Sequence, residues 1–196
     1  MNHNQYPRKK HADVYIQRRL LLPVYVLAVF LISGCSSTQV SDYRDNNPVF
    51  EPVWFDGDMT AHGIVKNRSG KVIRRFNVTM NGSWQQSEDG LNIGTLVEDF
   101  VFDDGGRQQR IWTFEQLSDK QYLASANDVE KPRLLKYAGN SLFLNYRLQV
   151  ALKSRSIILN VEDRMYLIND RVLLNESVLT KWGFRVGDIQ LVMLKS

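Results

Sequence analysis

The sequence predicts an all-β domain, an antiparallel barrel of about eight to ten strands. Three observations predict it: short runs rich in β-branched and aromatic residues, turn residues at short intervals between them, and no long stretch with a helical period. Residues 59–65 open the series, and Asn67-Arg68-Ser69-Gly70 turns the chain into 71–84. There Val72, Phe76, Val78, Met80 and Trp84 share one face, and Arg75, Asn77, Thr79, Asn81 and Ser83 the other. Arg74 interrupts the apolar face. Glu88-Asp89-Gly90 leads to 91–102, Asp103-Asp104-Gly105-Gly106 to 109–117, and Ser118-Asp119-Lys120 to 122–128. Residues 131–140 read as a longer polar connection. Leu142, Leu144, Tyr146, Leu148, Val150 and Leu152 then alternate strictly, the strongest strand signal in the chain. Strands over 157–167, 172–180 and 189–194 follow, with Asn169-Asp170 and Gly187-Asp188 as turns. About nine strands in a meander must pair or close their edges. A barrel closes them economically, and a two-sheet sandwich is the alternative. Charges interrupt both faces of several strands, which argues against a transmembrane barrel.

The first 34 residues read as a secretory leader. A polar, basic segment ends at Arg18-Arg19, and residues 20–32 carry no charge. A helix over that run falls short of the roughly 30 Å hydrocarbon core, so it reads as the apolar part of a signal peptide and not as a permanent anchor. Ile32-Ser33-Gly34-Cys35 resembles a bacterial lipobox, with Cys35 as the residue that receives a diacylglyceryl group. Two or more acyl chains hold a protein stably on a membrane. The residue after the cysteine is Ser36 and not aspartate, which points to the periplasmic face of the outer membrane of a Gram-negative cell. The expected organisation is a removed leader (1–34), an acylated cysteine and flexible tether (35–53), and one barrel domain (54–196).

Of 25 basic and 21 acidic side chains, Arg8, Lys9, Lys10, Arg18, Arg19 and a single acid, Asp13, precede Cys35, which leaves 20 of each sign in the mature chain. The basic balance therefore belongs to the leader, and nucleic-acid binding by counterion release has no support. One cysteine excludes an intramolecular disulfide, and with His62 as the only mature histidine no Cys-His dyad or Cys/His zinc site can be assembled. No metal or other cofactor is expected. Asp56-Gly57-Asp58 and Asp103-Asp104-Gly105-Gly106 lack the ligand spacing of a calcium loop.

Two acidic pairs lie within strand patterns, Glu98-Asp99 and Glu162-Asp163, so one member of each should face inward. A buried carboxylate needs a partner, which makes Glu98, Asp99, Arg110, Arg147 and Asp163 candidate inward polar contacts. Phe76, Trp84, Phe100, Trp112, Phe114, Tyr146 and Tyr166 are candidates to line a pocket for an acyl chain, or else they form the core.

A family resemblance rests on further residues. Phe55-Asp56-Gly57, Gly70-Lys71-Val72, Arg74-Arg75-Phe76, Gly82-Ser83-Trp84, Glu98-Asp99-Phe100 and Arg110-Ile111-Trp112 are similar to the proteobacterial lipoproteins grouped as domain of unknown function 3833. So are Asp163 to Leu167, Arg171 to Asn175 and Lys181-Trp182-Gly183-Phe184-Arg185, with Arg164 and Asn169 departing from the pattern. The resemblance implies a lipocalin-like barrel attached to a membrane, and it implies no catalytic residues. The expected role is non-enzymatic binding of a lipid or other hydrophobic ligand. A protein-interaction module is the alternative, and a lipid-modifying enzyme comes third, needing an acid of raised pKa beside a pocket.

Overall fold

The computed structural model describes Met1, residues 37–151 and residues 155–196; Ile32, Ser33, Gly34 and Cys35, the lipobox, lie outside the described residues. Ten strands follow one another: β1 (Gly57–Asn67), β2 (Val72–Gln86), β3 (Asn92–Phe102), β4 (Arg107–Ser118), β5 (Gln121–Ala126), β6 (Arg133–Ala138), β7 (Ser141–Ala151), β8 (Ser156–Asn169), β9 (Val172–Lys181) and β10 (Phe184–Lys195). Each pairs antiparallel with the next, and β1 pairs with β10, so the sheet closes into a barrel. Closure removes the free edges that a meander would otherwise expose. The predicted barrel is the observed one, and the sandwich is not.

Alternation decides the inside. In β7, Leu142, Leu144, Tyr146 and Leu148 are buried while Asn145, Arg147 and Gln149 are exposed. β6 corrects the reading of 131–140 as a connection. Leu135 is buried and Tyr137 half-buried, with Leu134 and Lys136 outside. The strand is short and makes three ladder pairs with each neighbour, so its periodic signal is brief.

The tether is corrected in its second half. A 3-10 turn at Val40–Tyr43 lays the Tyr43 ring 5.4 Å from Tyr166 and 5.8 Å from Phe143 on the outer wall. The Phe50 amide then donates to the Gly139 carbonyl at 2.7 Å, and the Phe50 side chain is fully buried. A second 3-10 turn, Pro52–Phe55, drives Phe55 into the barrel, where its ring stacks on Phe114 at 5.7 Å. Burying two phenylalanines contributes roughly 3–6 kcal/mol, ample reason for a polar segment to be held in place. The chain's other end locks the turn: Lys195 Nζ donates to the Trp54 carbonyl at 2.9 Å, and Trp54 Nε1 donates to that of Asp170 at 3.0 Å. Gly82 is required beneath it, since a Cβ there would lie 1.6 Å from the Phe55 carbonyl oxygen.

Among the described residues every strand ladder and every buried core side chain falls between Phe50 and Lys195, so a chain that begins at Ser36 keeps the whole of the described barrel and core.

Candidate functional site

The two ends of the barrel differ. At the end where the chain enters, Phe50, Pro52 and Phe55 cover the interior, and Met59, Met80, Leu142 and Leu173 beneath them are essentially inaccessible. This is the sealed end. At the other, formed by the hairpins that join β1 to β2, β3 to β4, β5 to β6 and β9 to β10, inward side chains are half-buried: Val65, Phe100, Phe102, Val150, Ile157, Ile189 and Leu191. Arg74 lies among them, its guanidinium 3.4 Å from the Phe102 ring centre and 2.8 Å from Asp104. This is the open end, and Arg74 breaks the apolar face of β2 because it stands at its rim.

Between them lies a polar layer. Cross-strand pairing sets Glu98 of β3 opposite Arg110 of β4, and Arg110 Nε donates to both Asp128 carboxylate oxygens at 3.0 and 2.9 Å. Arg110 Nη1 stands 4.0 Å from Glu98 Oε2, an oxygen that accepts no hydrogen bond. Across the barrel the Tyr146 hydroxyl donates to Asp163 at 2.9 Å, and Ser177 donates to Asn175 at 3.1 Å. Burial, above all, pushes the Glu98 carboxyl up to about 7; Asp128 and Asp163 add to the rise and Arg110 opposes it. Burial likewise raises Asp163, against the hydrogen bonds of Ser177 and Tyr146. For Arg110 burial favours deprotonation, but Tyr146, Glu98 and Asp128 outweigh it and keep the guanidinium charged. Three acids, Glu98, Asp128 and Asp163, thus share one arginine.

Glu98 also borders a small apolar cavity of about 30 Å³ on the sealed side, walled by Phe55, Leu96, Trp112, Phe114, Leu142, Leu144, Met165 and Met193 among others. That is room for a water or two, far below the several hundred Å³ of a typical ligand pocket. A larger groove of about 630 Å³ crosses the outer wall from β9 to β3, with Ile64, Val101, Leu174 and Val192 beside His62, Arg75, Asn77 and Gln190. His62 Nδ1 is 2.7 Å from the Asn77 side-chain oxygen on this outer face.

Of the residues expected to line a pocket, Phe76, Trp84, Phe100, Trp112, Phe114 and Tyr146 face inward, where Trp84 and Trp112 stack on Phe114 at 5.9 and 6.2 Å. Tyr166 does not; it belongs to the outer cluster with Tyr43 and Phe143. Among the expected polar contacts Glu98, Arg110 and Asp163 are inside. Asp99 is outside, accepting from Gln109 at 2.9 Å, and so is Arg147, paired with Glu130 at 3.0 Å. Each is next to an inward residue and therefore points the other way. Sequence reasoning missed Asp128, Asn175 and Ser177. The last two were visible as polar residues at inward positions of β9 between Leu173 and Leu179. Asp128, read as the last residue of the strand over 122–128, lies instead on the connection after β5, which ends at Ala126. Among the described residues no group of three His, Cys, Asp or Glu side chains is placed to hold a metal ion.

The barrel is similar to a solved structure, the S-type phycobiliprotein lyase from Guillardia theta, with a TM-score of 0.50, 8% identity, and 76% of this chain and 98% of that one covered. At that identity the likeness is one of fold. No curated protein matches the sequence. Residues 29–195 match the family described as protein of unknown function (DUF3833), and the chain belongs to that family.

Proposed function

We propose that this protein is a lipoprotein, acylated at Cys35 and held on the periplasmic face of the outer membrane, whose barrel binds a lipophilic molecule such as a lipid or modified fatty acid without transforming it. One observation carries the reading: the barrel is sealed at one end by its own chain, while at the other a ring of half-buried apolar side chains opens above a polar layer. An amphipathic ligand fits that gradient, its apolar part against Phe100, Phe102, Val150 and Ile157 and its polar group toward Arg110 and Asp128. The cavity beside Glu98 is too small to receive it, so the site is the mouth and not the barrel's centre. That a similar barrel belongs to a phycobiliprotein lyase supports taking such a barrel as a place where another molecule is handled. The leader-like segment and Ser36 support the address.

The test is native mass spectrometry with lipid extraction on the chain from Ser36, exported to the periplasm and purified without detergent. A stoichiometric co-purifying lipid is expected. An empty protein that also takes up no lipophilic probe overturns the reading and leaves the outer groove, and with it a protein-interaction role, as the stronger alternative. A second reading, acid–base chemistry on the bound molecule, is favoured by one observation, the Glu98 carboxyl raised to about 7. It requires a chemically altered lipid in the extract that is missing when Glu98→Gln protein is used.

A further inference from the structure

The mature chain is formally neutral, but its charges are sorted along the barrel. The sealed end's connections and entry segment carry Asp42, Asp45, Glu51, Asp56, Glu88, Asp89, Asp119 and Asp170, against Arg44, Lys120, Arg171 and Lys195. At the open end the acids on the connections are all taken by arginines. Asp103 pairs with Arg75, Asp104 with Arg74, Asp128 with Arg110 and Glu130 with Arg147. Arg68, Lys71, Arg107 and Lys131 are exposed there and take part in no ion pair among the described residues. Their charge faces outward unopposed.

The same rim exposes large apolar side chains. The hairpin between β9 and β10 turns on Trp182-Gly183, both at positive φ (50° and 83°), a two-residue turn that asparagine or glycine ordinarily occupies. Tryptophan there adopts a backbone conformation unfavourable to it and stands 84% exposed, with Phe184 70% exposed beside it. Lys181 Nζ lies 4.7 Å from the Trp182 ring centre. On the neighbouring β1–β2 hairpin, Val72 and Ile73 are 43% and 58% exposed. A core has no use for these side chains. Aromatic rings flanked by cations are the composition of a surface that sits at the headgroup level of a bilayer.

We infer that the open rim of the barrel is a docking surface for an anionic lipid bilayer: Trp182 and Phe184 enter the headgroup region, and Arg68, Lys71, Arg107 and Lys131 meet its negative charge. The contact is separate from any acyl anchor and from whether a ligand is held.

The test uses the chain from Ser36, without its acyl group, and vesicles of phosphatidylcholine with and without phosphatidylglycerol. Expected are flotation with the phosphatidylglycerol vesicles alone, release by high salt, and a blue shift of tryptophan emission that Trp182→Ser abolishes. Arg68→Gln with Lys71→Gln is expected to weaken binding on the order of 30-fold, since each cation near such a surface is worth about a factor of five. Glu88→Lys at the sealed end leaves the emission shift as it was. No binding, equal binding to both vesicle types, or binding indifferent to the rim variants overturns the inference, and lipid co-purification is scored separately because neither result depends on the other.

Discussion

Glu98 sits where a charge is least welcome, beside Leu96, Trp112 and Leu144 and 4.0 Å from the nearest guanidinium nitrogen. Its carboxyl titrates near 7 in the folded barrel and near its ordinary 4.5 when unfolded. As pH rises through that interval the unfolded chain loses its proton first. Stability therefore falls from about pH 4.5 to 7 and levels off above, by about 3 kcal/mol from this residue. In melting temperature that is roughly 6–12 °C for a domain of this size. Glu98→Gln is expected to remove this residue's share of the slope and leave the share due to Asp163, whose pKa is also raised. Parallel melting curves for the two proteins between pH 5 and 8 would show that Glu98 is not its source. Parity already placed several residues that were expected inside. Arg147 falls between Tyr146 and Leu148, and Tyr166 is three residues from Asp163, so neither shares the inward face of its strand. Chemistry suggested an inward role for them, and the backbone period decides against it.

At the scale of elements, the N-terminal segment is the part that sequence pattern could not show. A lone Phe50 in a polar, proline-containing stretch has no period, and its burial depends on Gly139 and Gly82, remote in sequence. The strands of β2 and β7 were legible because each alternates over ten residues or more. β6 was not, with only Leu135 and Tyr137 to mark its face. The plug's contribution can be measured. Phe50→Ala is expected to lower stability by roughly 3–5 kcal/mol in urea unfolding, and Val49→Ala, at an exposed neighbour, by less than about 0.5 kcal/mol. Equal effects from the two would mean that the segment does not seal the barrel.

The whole molecule is a ring of unequal seams. β7 and β8 share eleven register pairs, as do β2 and β3, whereas β6 joins each neighbour through three. A closed barrel opens where its ladder is shortest, so amide hydrogen exchange should be fastest along β5 and β6 and slowest along β2, β3, β7 and β8. Uniform protection around the ring would contradict that order. Barrel closure was legible from strand count and turn spacing. The sorting of charge between its ends was not, because a neutral sum hides a dipole until the hairpins are known to alternate between two rims.

The pairing of β1 with β10 sets how this barrel is assembled. Every other ladder joins strands adjacent in sequence, which a short loop closes at once, but Met59 meets Lys195 only after nearly the whole chain has been ordered. Loop-closure entropy places that seam last. Until it forms, the growing sheet presents two raw edges, and the lock between Lys195 and Trp54 is absent. A chain arrested at that stage is a strand donor and acceptor to its neighbours. The final seam thus separates a monomer from an aggregate, and residues 50–55, closing over the same end, guard the last step of folding as much as the interior they cover.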